Sequence, residues 1–317
     1  MPPSEPASFP LDGRRIWVAG HRGMVGTALV ARLRREPCEV LTAGRETVDL
    51  TRQADTEAWL AETRPDAVIL AAAKVGGILA NDRYPADFIR DNLTIETNVI
   101  AGAQAVGVAK LLLLGSSCIY PRLAQQPIPE AALLGGPLET TNQWYAVAKI
   151  AGIKLCQAYR RQHGCDFVAA MPCNLYGPHD NFDLETSHVI PALMRKIHEA
   201  KQAGAEDVVL WGTGSPRREF LYVDDCADAL VHLLQHYSGE EHVNVGTGTD
   251  LTIRDLAQTI AKVVGYKGGF TQDTSKPDGT PRKLLDVSRL QALGWSPATS
   301  LEDGLAKAYA WYLENRA

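Results

Sequence analysis

The chain has 317 residues, 45% of them hydrophobic and 22% charged, with a formal net charge of −5. This is the composition of an ordinary globular protein, long enough for one large domain or two smaller ones, and its acidic balance excludes nucleic acid and anionic membranes as expected partners. No apolar run reaches the roughly eighteen residues that span a bilayer, and the six cysteines (38, 118, 156, 165, 173, 226) show neither C-x-x-C pairing nor metal-ligand spacing, so the reading expects reduced thiols, no metal and a cytoplasmic location.

Residues 1–12 contain Pro2, Pro3, Pro6 and Pro10 and read as a disordered leader, without the charged and apolar regions of a signal peptide. An apolar strand pattern over 16–19 is followed by Gly20, His21, Arg22, Gly23, Met24, Val25 and Gly26, then by a helical pattern through Leu29, Val30 and Leu33. Strand, glycine-rich turn and helix form a G-x-x-G-x-x-G variant of the dinucleotide fingerprint. Glycines allow a tight turn and close backbone approach to a pyrophosphate, and the helix N-terminus offers free N–H groups. These seven residues are therefore expected to hold a dinucleotide. A second strand is expected over 39–43 and a helix over 56–64, stopped by Pro65. Continuous apolar runs over 67–73 and 110–114 read as strands buried on both faces. Helices are expected over 96–108 and 145–162, and a further strand over 167–171. Repeated β-α units of this kind imply a Rossmann-type α/β fold, a doubly wound parallel sheet. Ligands of such sheets bind beyond the carboxyl ends of the strands. The glycine turn and segments 71–74, 116–118 and 172–176 should gather along that edge, with Ala72, Pro172, Asn174 and Leu175 against the cofactor.

Beyond residue 177 the pattern changes. Helices are expected over 189–200, 226–237 and 252–264, strands over 208–210 and 242–245, and polar loops over 212–218 and 276–282. The division expected is a dinucleotide-binding domain over 13–176 and a mainly substrate-binding, smaller α/β domain over 177–317. A return of the chain to the sheet around 225–260 is left open.

Tyr145 and Lys149 are four residues apart, so on a helix they share a face. A neighbouring ammonium favours phenolate and would make the tyrosine a better proton donor or acceptor near neutral pH. Alone, the pair equally suits a surface helix with a half-buried Tyr and a solvated Lys. Ser116, from a second strand end, supplies a hydroxyl that would hold a carbonyl against the phenol. Coenzyme choice rests on Gly44-Arg45-Glu46 at the end of the second strand. Arg45, with Arg22, favours the 2′-phosphate of NADP(H), whereas Glu46 is the acid expected of an NAD site.

With these motifs placed, the chain resembles the extended short-chain dehydrogenases/reductases that act on nucleotide sugars, from about residue 15 onward. The stretches that carry the resemblance are 19–26, 71–77, 115–121, 145–149, 174–182, 187–191 and 276–280. It implies NADP(H) as cofactor and GDP-4-keto-6-deoxy-D-mannose as substrate, epimerised at C3 and C5 and reduced at C4 to GDP-L-fucose. By the same resemblance Cys118 and His188 exchange the C3 and C5 protons, with the choice of base and acid open. Tyr145 protonates the C4 oxygen, Ser116 hydrogen-bonds it, and Lys149 lowers the Tyr145 pKa and holds the nicotinamide ribose, which His188 also adjoins. Lys196, Trp211, Arg218 and Asp278 match positions that hold the nucleotide sugar. A homodimer is implied, with Ile100, Val147 and Ile150 as candidates to face the partner. Two rivals remain. An NAD-dependent 4-epimerase or 4,6-dehydratase is opposed by Ser117-Cys118, where a dehydratase carries Asp-Glu. A redox-sensing binding module would be expected to lose Tyr145 or Lys149.

Overall fold

The computed structural model describes residues 8–184, 186–276 and 278–316, apart from the side chains of Ile78 and Leu79. Residues 1–7 of the expected leader and Pro277 of the 276–280 stretch lie outside the described residues. The rest of the leader is not disordered. Leu11 is buried, and Phe9 N–H donates to Gln235 O at 2.8 Å while its ring carries the charges of Arg14 and Lys110 at 5.1 and 5.8 Å.

The chain begins with β1 (Arg15–Ala19), α1 (Met24–Leu33), β2 (Glu39–Leu41), α2 (Gln53–Thr63) and β3 (Ala67–Leu70). It continues through α3 (Ile78–Arg83), α4 (Pro85–Ala105), β4 (Lys110–Leu114), α5 (Gln143–His163) and β5 (Asp166–Pro172). Every residue of β3 and β4 is buried, as continuous apolar strands covered by helices on both faces must be. The expected helix over 96–108 begins eleven positions earlier, at Pro85. A proline suits the first helical position, where its missing N–H would have no partner. Phe88, Asn92, Ile95 and Val99 then recur on the buried face, hidden in sequence by the charged residues between them.

The second half contains β6 (Asn174–Tyr176), α6 (Val189–Ala203), β7 (Asp207–Trp211), β8 (Arg217–Arg218), β9 (Phe220–Tyr222) and α7 (Val223–His236). After these come β10 (Val243–Val245), β11 (Leu251–Thr252), α8 (Ile253–Val264), β12 (Gly269–Asp273), β13 (Arg282–Lys283), α9 (Ser288–Ala292) and α10 (Leu301–Asn315). The main sheet has six strands in the order β10-β5-β4-β3-β1-β2, all parallel. The chain therefore leaves the first unit, builds part of the second, and returns: β10 pairs with β5, and α7 packs on α1. The second unit has its own apolar cluster, in which α6, α8 and α10 pack around Tyr176, Phe182, Met194, Ile260 and Tyr312. Small pairings, β6 with β9, β7 with β12, and β11-β8-β13, complete it. Of these, β7 is expected over 208–210, whereas the two- and three-residue strands β6, β8, β9, β11 and β13 escape sequence reading because tertiary pairing, not periodicity, makes them.

Candidate active site

The direction of strand addition reverses between β1 and β3, so a crevice opens beyond their carboxyl ends. Gly20 sits there with φ +93°, and a side chain on it would lie 2.6 Å from Ala72 N. Gly26, inside the first turns of α1, lies so close to the preceding bend that an added Cβ would come within 2.7 Å of Gly20 C and His21 Cα. At Gly23 the same Cβ would meet nothing nearer than Gly20 O at 3.6 Å. Gly20 and Gly26 thus serve close packing of strand, turn and helix, while Gly23 keeps the turn's outer face low beneath the α1 N-terminus. No side chain caps that terminus, and the cradle fits a dinucleotide pyrophosphate. Asn92 anchors the loop after β3, accepting from Lys74 N at 2.8 Å and donating to Lys74 O at 3.0 Å. Pro172 closes β5, and Asn174 and Leu175 follow in β6, where the Asn174 amide donates to Glu219 O at 2.9 Å.

At the adenosine end, Arg22 and Glu46 form a two-armed ion pair, one arm at 2.8 Å. Each member shifts the other toward its charged form, Glu46 downward and Arg22 upward, chiefly through the hydrogen bond between them. Arg45 is largely exposed and reaches Asp49 at 3.4 Å. Two cations and one acid therefore share the place where a ribose 2′-substituent would sit.

The carboxyl end of β4 carries the reactive groups. Ser116 caps a turn of 3₁₀ helix, its Oγ accepting from Cys118 N at 3.4 Å. Cys118 is buried, and Ser117 is buried beside it. Burial pushes the Cys118 thiol up, against the pull of Lys283, Ser116 and Lys149. Tyr145 and Lys149 lie on α5, as expected, but the ammonium does not favour the phenolate. Lys149 Nζ donates to Leu114 O at 3.0 Å and faces Glu96 Oε1 at 2.9 Å, with both side chains 2% exposed. Its distance to the Tyr145 ring centroid is 5.8 Å. Burial of the Tyr145 hydroxyl, then Cys118 and Glu96, hold the phenol well above its ordinary value. The expectation of a depressed tyrosine is therefore overturned, chiefly by burial of the phenol, with Cys118 and a buried acid on α4, Glu96, adding to it. That acid was findable: in the stripe Asn92, Glu96, Val99, Ile100 and Ala103 it occupies a core position.

His188 precedes α6 at its N-cap position, yet its side chain caps nothing. The loop before it is fastened to the β3 loop by Gly77 N–H donating to Thr186 O at 2.9 Å, a contact so close that a Cβ on Gly77 would lie 3.0 Å from Ser187 O. Surrounding protein lowers the basicity of the imidazole, though its exposed side limits that shift. His179 is not part of this chemistry. It adopts φ 66° in its loop and its ring lies 4.9 Å from that of Trp311.

In the second unit, Lys196 and Lys276 place their ammonium groups 4.8 and 5.5 Å from the ring of the exposed Trp211. Burial lowers the pKa of Lys196, Arg218 and Lys283, and none of the three has an ion pair among the described residues. Arg218 instead donates to Arg217 O at 2.8 Å. Partly desolvated cations that no carboxylate pairs directly are suited to an anionic ligand such as a diphosphate. Asp278 is not a free ligand group: it accepts from Thr213 N at 2.7 Å and Thr213 Oγ1 at 2.9 Å, latching two loops together beside Arg218. Lys283 escaped sequence reading because only the pairing of β13 with β8 brings it beside Arg218 and Cys118.

The NAD dependent epimerase/dehydratase family model matches residues 16–246. GDP-L-fucose synthase of Sinorhizobium fredii is 61% identical over 97% of this chain and 98% of that protein. GDP-L-fucose synthase of Escherichia coli is 56% identical over 96% and 98% respectively. The crystal structure of a GDP-L-fucose synthetase from Naegleria fowleri bound to NADP superposes with a TM-score of 0.90 at 31% identity, covering 98% of this chain and 96% of that one.

Proposed function

The chain belongs to the NAD dependent epimerase/dehydratase family, and we infer that it is an NADP-dependent enzyme converting GDP-4-keto-6-deoxy-D-mannose to GDP-L-fucose. The observation that carries this reading is the thiol of Cys118 buried against Tyr145 and Lys149. A ketone reduction needs a proton donor and a hydride, but not a thiol. Protons on C3 and C5 of the sugar flank the C4 ketone and leave through an enolate. Inversion at each carbon needs an acid and a base on opposite faces and a donor for the enolate oxygen. Cys118 and His188 fill the first two roles and the Ser116 hydroxyl the third. Both proton carriers rest neutral, the thiol raised and the imidazole lowered by burial. Each therefore begins as an uncharged group, and Lys149 and Lys283 favour a thiolate when the cysteine gives up its proton.

Bound in the Gly20–Gly26 cradle, NADPH supplies the hydride for C4. Tyr145 holds the proton for the C4 oxygen, and its raised pKa keeps that proton in place until alkoxide develops. Lys149 has donors to spare for a ribose after its bond to Leu114 O. Arg22 and Arg45 take the 2′-phosphate. Lys196 and Arg218 hold the diphosphate, Trp211 offers a flat face to the base, and Asp278 keeps the loop above them closed. For the homodimer, Ile100 and Ile150 are buried within the protomer and face no partner. Trp144 and Val147 on α5 are exposed at 42% and 41%, and α5 with α4 forms the pairing surface. Six free cysteines accord with a cytoplasmic enzyme. The decisive test is to incubate the purified protein with NADPH and GDP-4-keto-6-deoxy-D-mannose and identify the product. GDP-L-fucose with NADP formed in equal amount supports the assignment; GDP-6-deoxy-D-talose or GDP-D-rhamnose alone, products of reduction without inversion, would reject it.

A further inference from the structure

We propose that Glu96 is a positioning residue for the reductive step, the counter-ion that fixes the place and the charge of Lys149 and thereby keeps Tyr145 in its proton-bearing form. This rests on the reading of Tyr145 as proton donor and deepens it. Glu96 is 2% exposed, and Lys149, whose Nζ lies 2.9 Å from Oε1, is its one ion-pair partner among the described residues. Buried carboxylates are usually bonded on several lone pairs, whereas this one depends on Lys149 alone among the described residues. Space has been left for it. Gly152 on α5 faces it, and a Cβ there would lie 2.7 Å from Glu96 Cδ and 3.0 Å from a methyl of Leu113. Glycine in the middle of a 21-residue helix is less favourable than alanine, and the close approach of the Glu96 carboxylate accounts for it.

The charged and titratable groups around Glu96 are Lys149, Tyr145 and Cys156 from α5, with Cys118 beyond them on the turn after β4. Lys149 is the cation of this group. Held between Leu114 O and Glu96, the ammonium lies over the Tyr145 ring, 5.8 Å from its centroid. The negative charge of Glu96 reaches Tyr145 and opposes its ionisation. A reductase gains from both effects, because its tyrosine must enter each turnover with a proton and its lysine must remain a cation to bind a ribose.

The test is the pH profile of kcat/KM for NADPH oxidation with Glu96→Gln. Without the counter-ion, either the tyrosine ionises more readily or the desolvated lysine loses its proton more readily. Both move the alkaline limb of the profile to lower pH, by at least about one unit. Glu96→Asp keeps the charge one methylene further away, so its limb should stay near that of the wild type even where kcat falls. An unshifted Glu96→Gln limb, with activity lowered equally at every pH or not at all, would overturn the proposal, as would equal shifts in the two variants. If Glu96→Gln fails to fold, Gly152→Ala, which pushes the carboxylate from its place, must shift the limb downward for the proposal to stand. Tyr145→Phe serves as the reference. If it retains full NADPH oxidation, the proton-donor reading itself fails; if it is inactive and the Glu96→Gln limb is unmoved, only the counter-ion role is lost.

Discussion

Alanine at Gly26 and at Gly23 should separate two jobs of one turn. At Gly26 the new methyl would lie 2.7 Å from Gly20 C and His21 Cα, against backbone that has no rotamer to change. Carbon contacts settle near 3.5–4.0 Å, so strand end and helix must part by about 1 Å. Overpacking of this kind costs about 1–3 kcal/mol, with a backbone obstacle at the upper end, and the gain in helix propensity returns about 1 kcal/mol. The net loss of about 2 kcal/mol should lower Tm by roughly 3 °C in a chain of 317 residues. At Gly23 the methyl has 3.6 Å of clearance and φ is −74°, so folding should be untouched. It would instead stand where a pyrophosphate approaches the turn, and NADPH binding should weaken at unchanged Tm. Scanning calorimetry of both variants, with titration calorimetry against NADPH, reads the two effects apart. Gly26→Ala melting with the wild type, or Gly23→Ala binding NADPH like the wild type, would refute the division.

Tyr145→Phe should suppress NADPH oxidation by at least ~10²-fold while solvent deuterium still enters C3 or C5 of the keto sugar, whereas Cys118→Ser should slow that exchange; NMR of the sugar locates the label, and loss of exchange in Tyr145→Phe would contradict the separation. Glu46→Gln releases Arg22 from its ion pair and should tighten NADPH on the order of two- to fivefold without tightening NADH, an effect that fades with salt; titration of both coenzymes measures it, and an unchanged preference would count against competition between Glu46 and the 2′-phosphate. His242 is buried against Tyr120 and its pKa is drawn down to about 4, mainly by burial, from 6.5. The unfolded chain therefore binds a proton that the folded chain refuses, so this contribution is complete above the unfolded value and is lost as pH falls from 6.5 toward about 4. Urea unfolding should show His242→Gln losing about 2 kcal/mol less than the wild type between pH 7.5 and 5; parallel losses would show that another group governs acid sensitivity.

The parts of this protein most legible in its sequence are those fixed by local chemistry. The glycine turn, the buried runs at β3 and β4, and the Tyr145–Lys149 spacing need only neighbours along the chain. Reading failed where distance in sequence was bridged by folding. Glu96 sits 53 residues before Lys149; its place on the buried stripe of α4 is legible in sequence, but its pairing with Lys149 is made only by the packing of α4 on α5. Lys283 became visible only through β13. The hydrogen bonds by which Asp278 accepts from Thr213 likewise join loops 65 residues apart and leave no local signal. The omission of α10 was avoidable, because Ser300 caps it by accepting from Asp303 N at 3.1 Å, a start signal written in the residues themselves.

The late return of α7 and β10 has a consequence for how the chain is born. When a ribosome has released residues up to Tyr176, five strands of the main sheet exist, but β5 presents a bare edge and α1 lacks the helix that covers it. An uncovered strand edge recruits other chains, and the nascent protein carries this one until residue 245 has emerged. Some seventy further residues, most of the second unit's first half, must be accommodated in the meantime. Neither unit can be cut away and leave the other whole. The main sheet is complete only when β10 has emerged, before α8 and α10 of the second unit, and the interval between β5 and β10 is when the growing chain is most exposed to association with its neighbours.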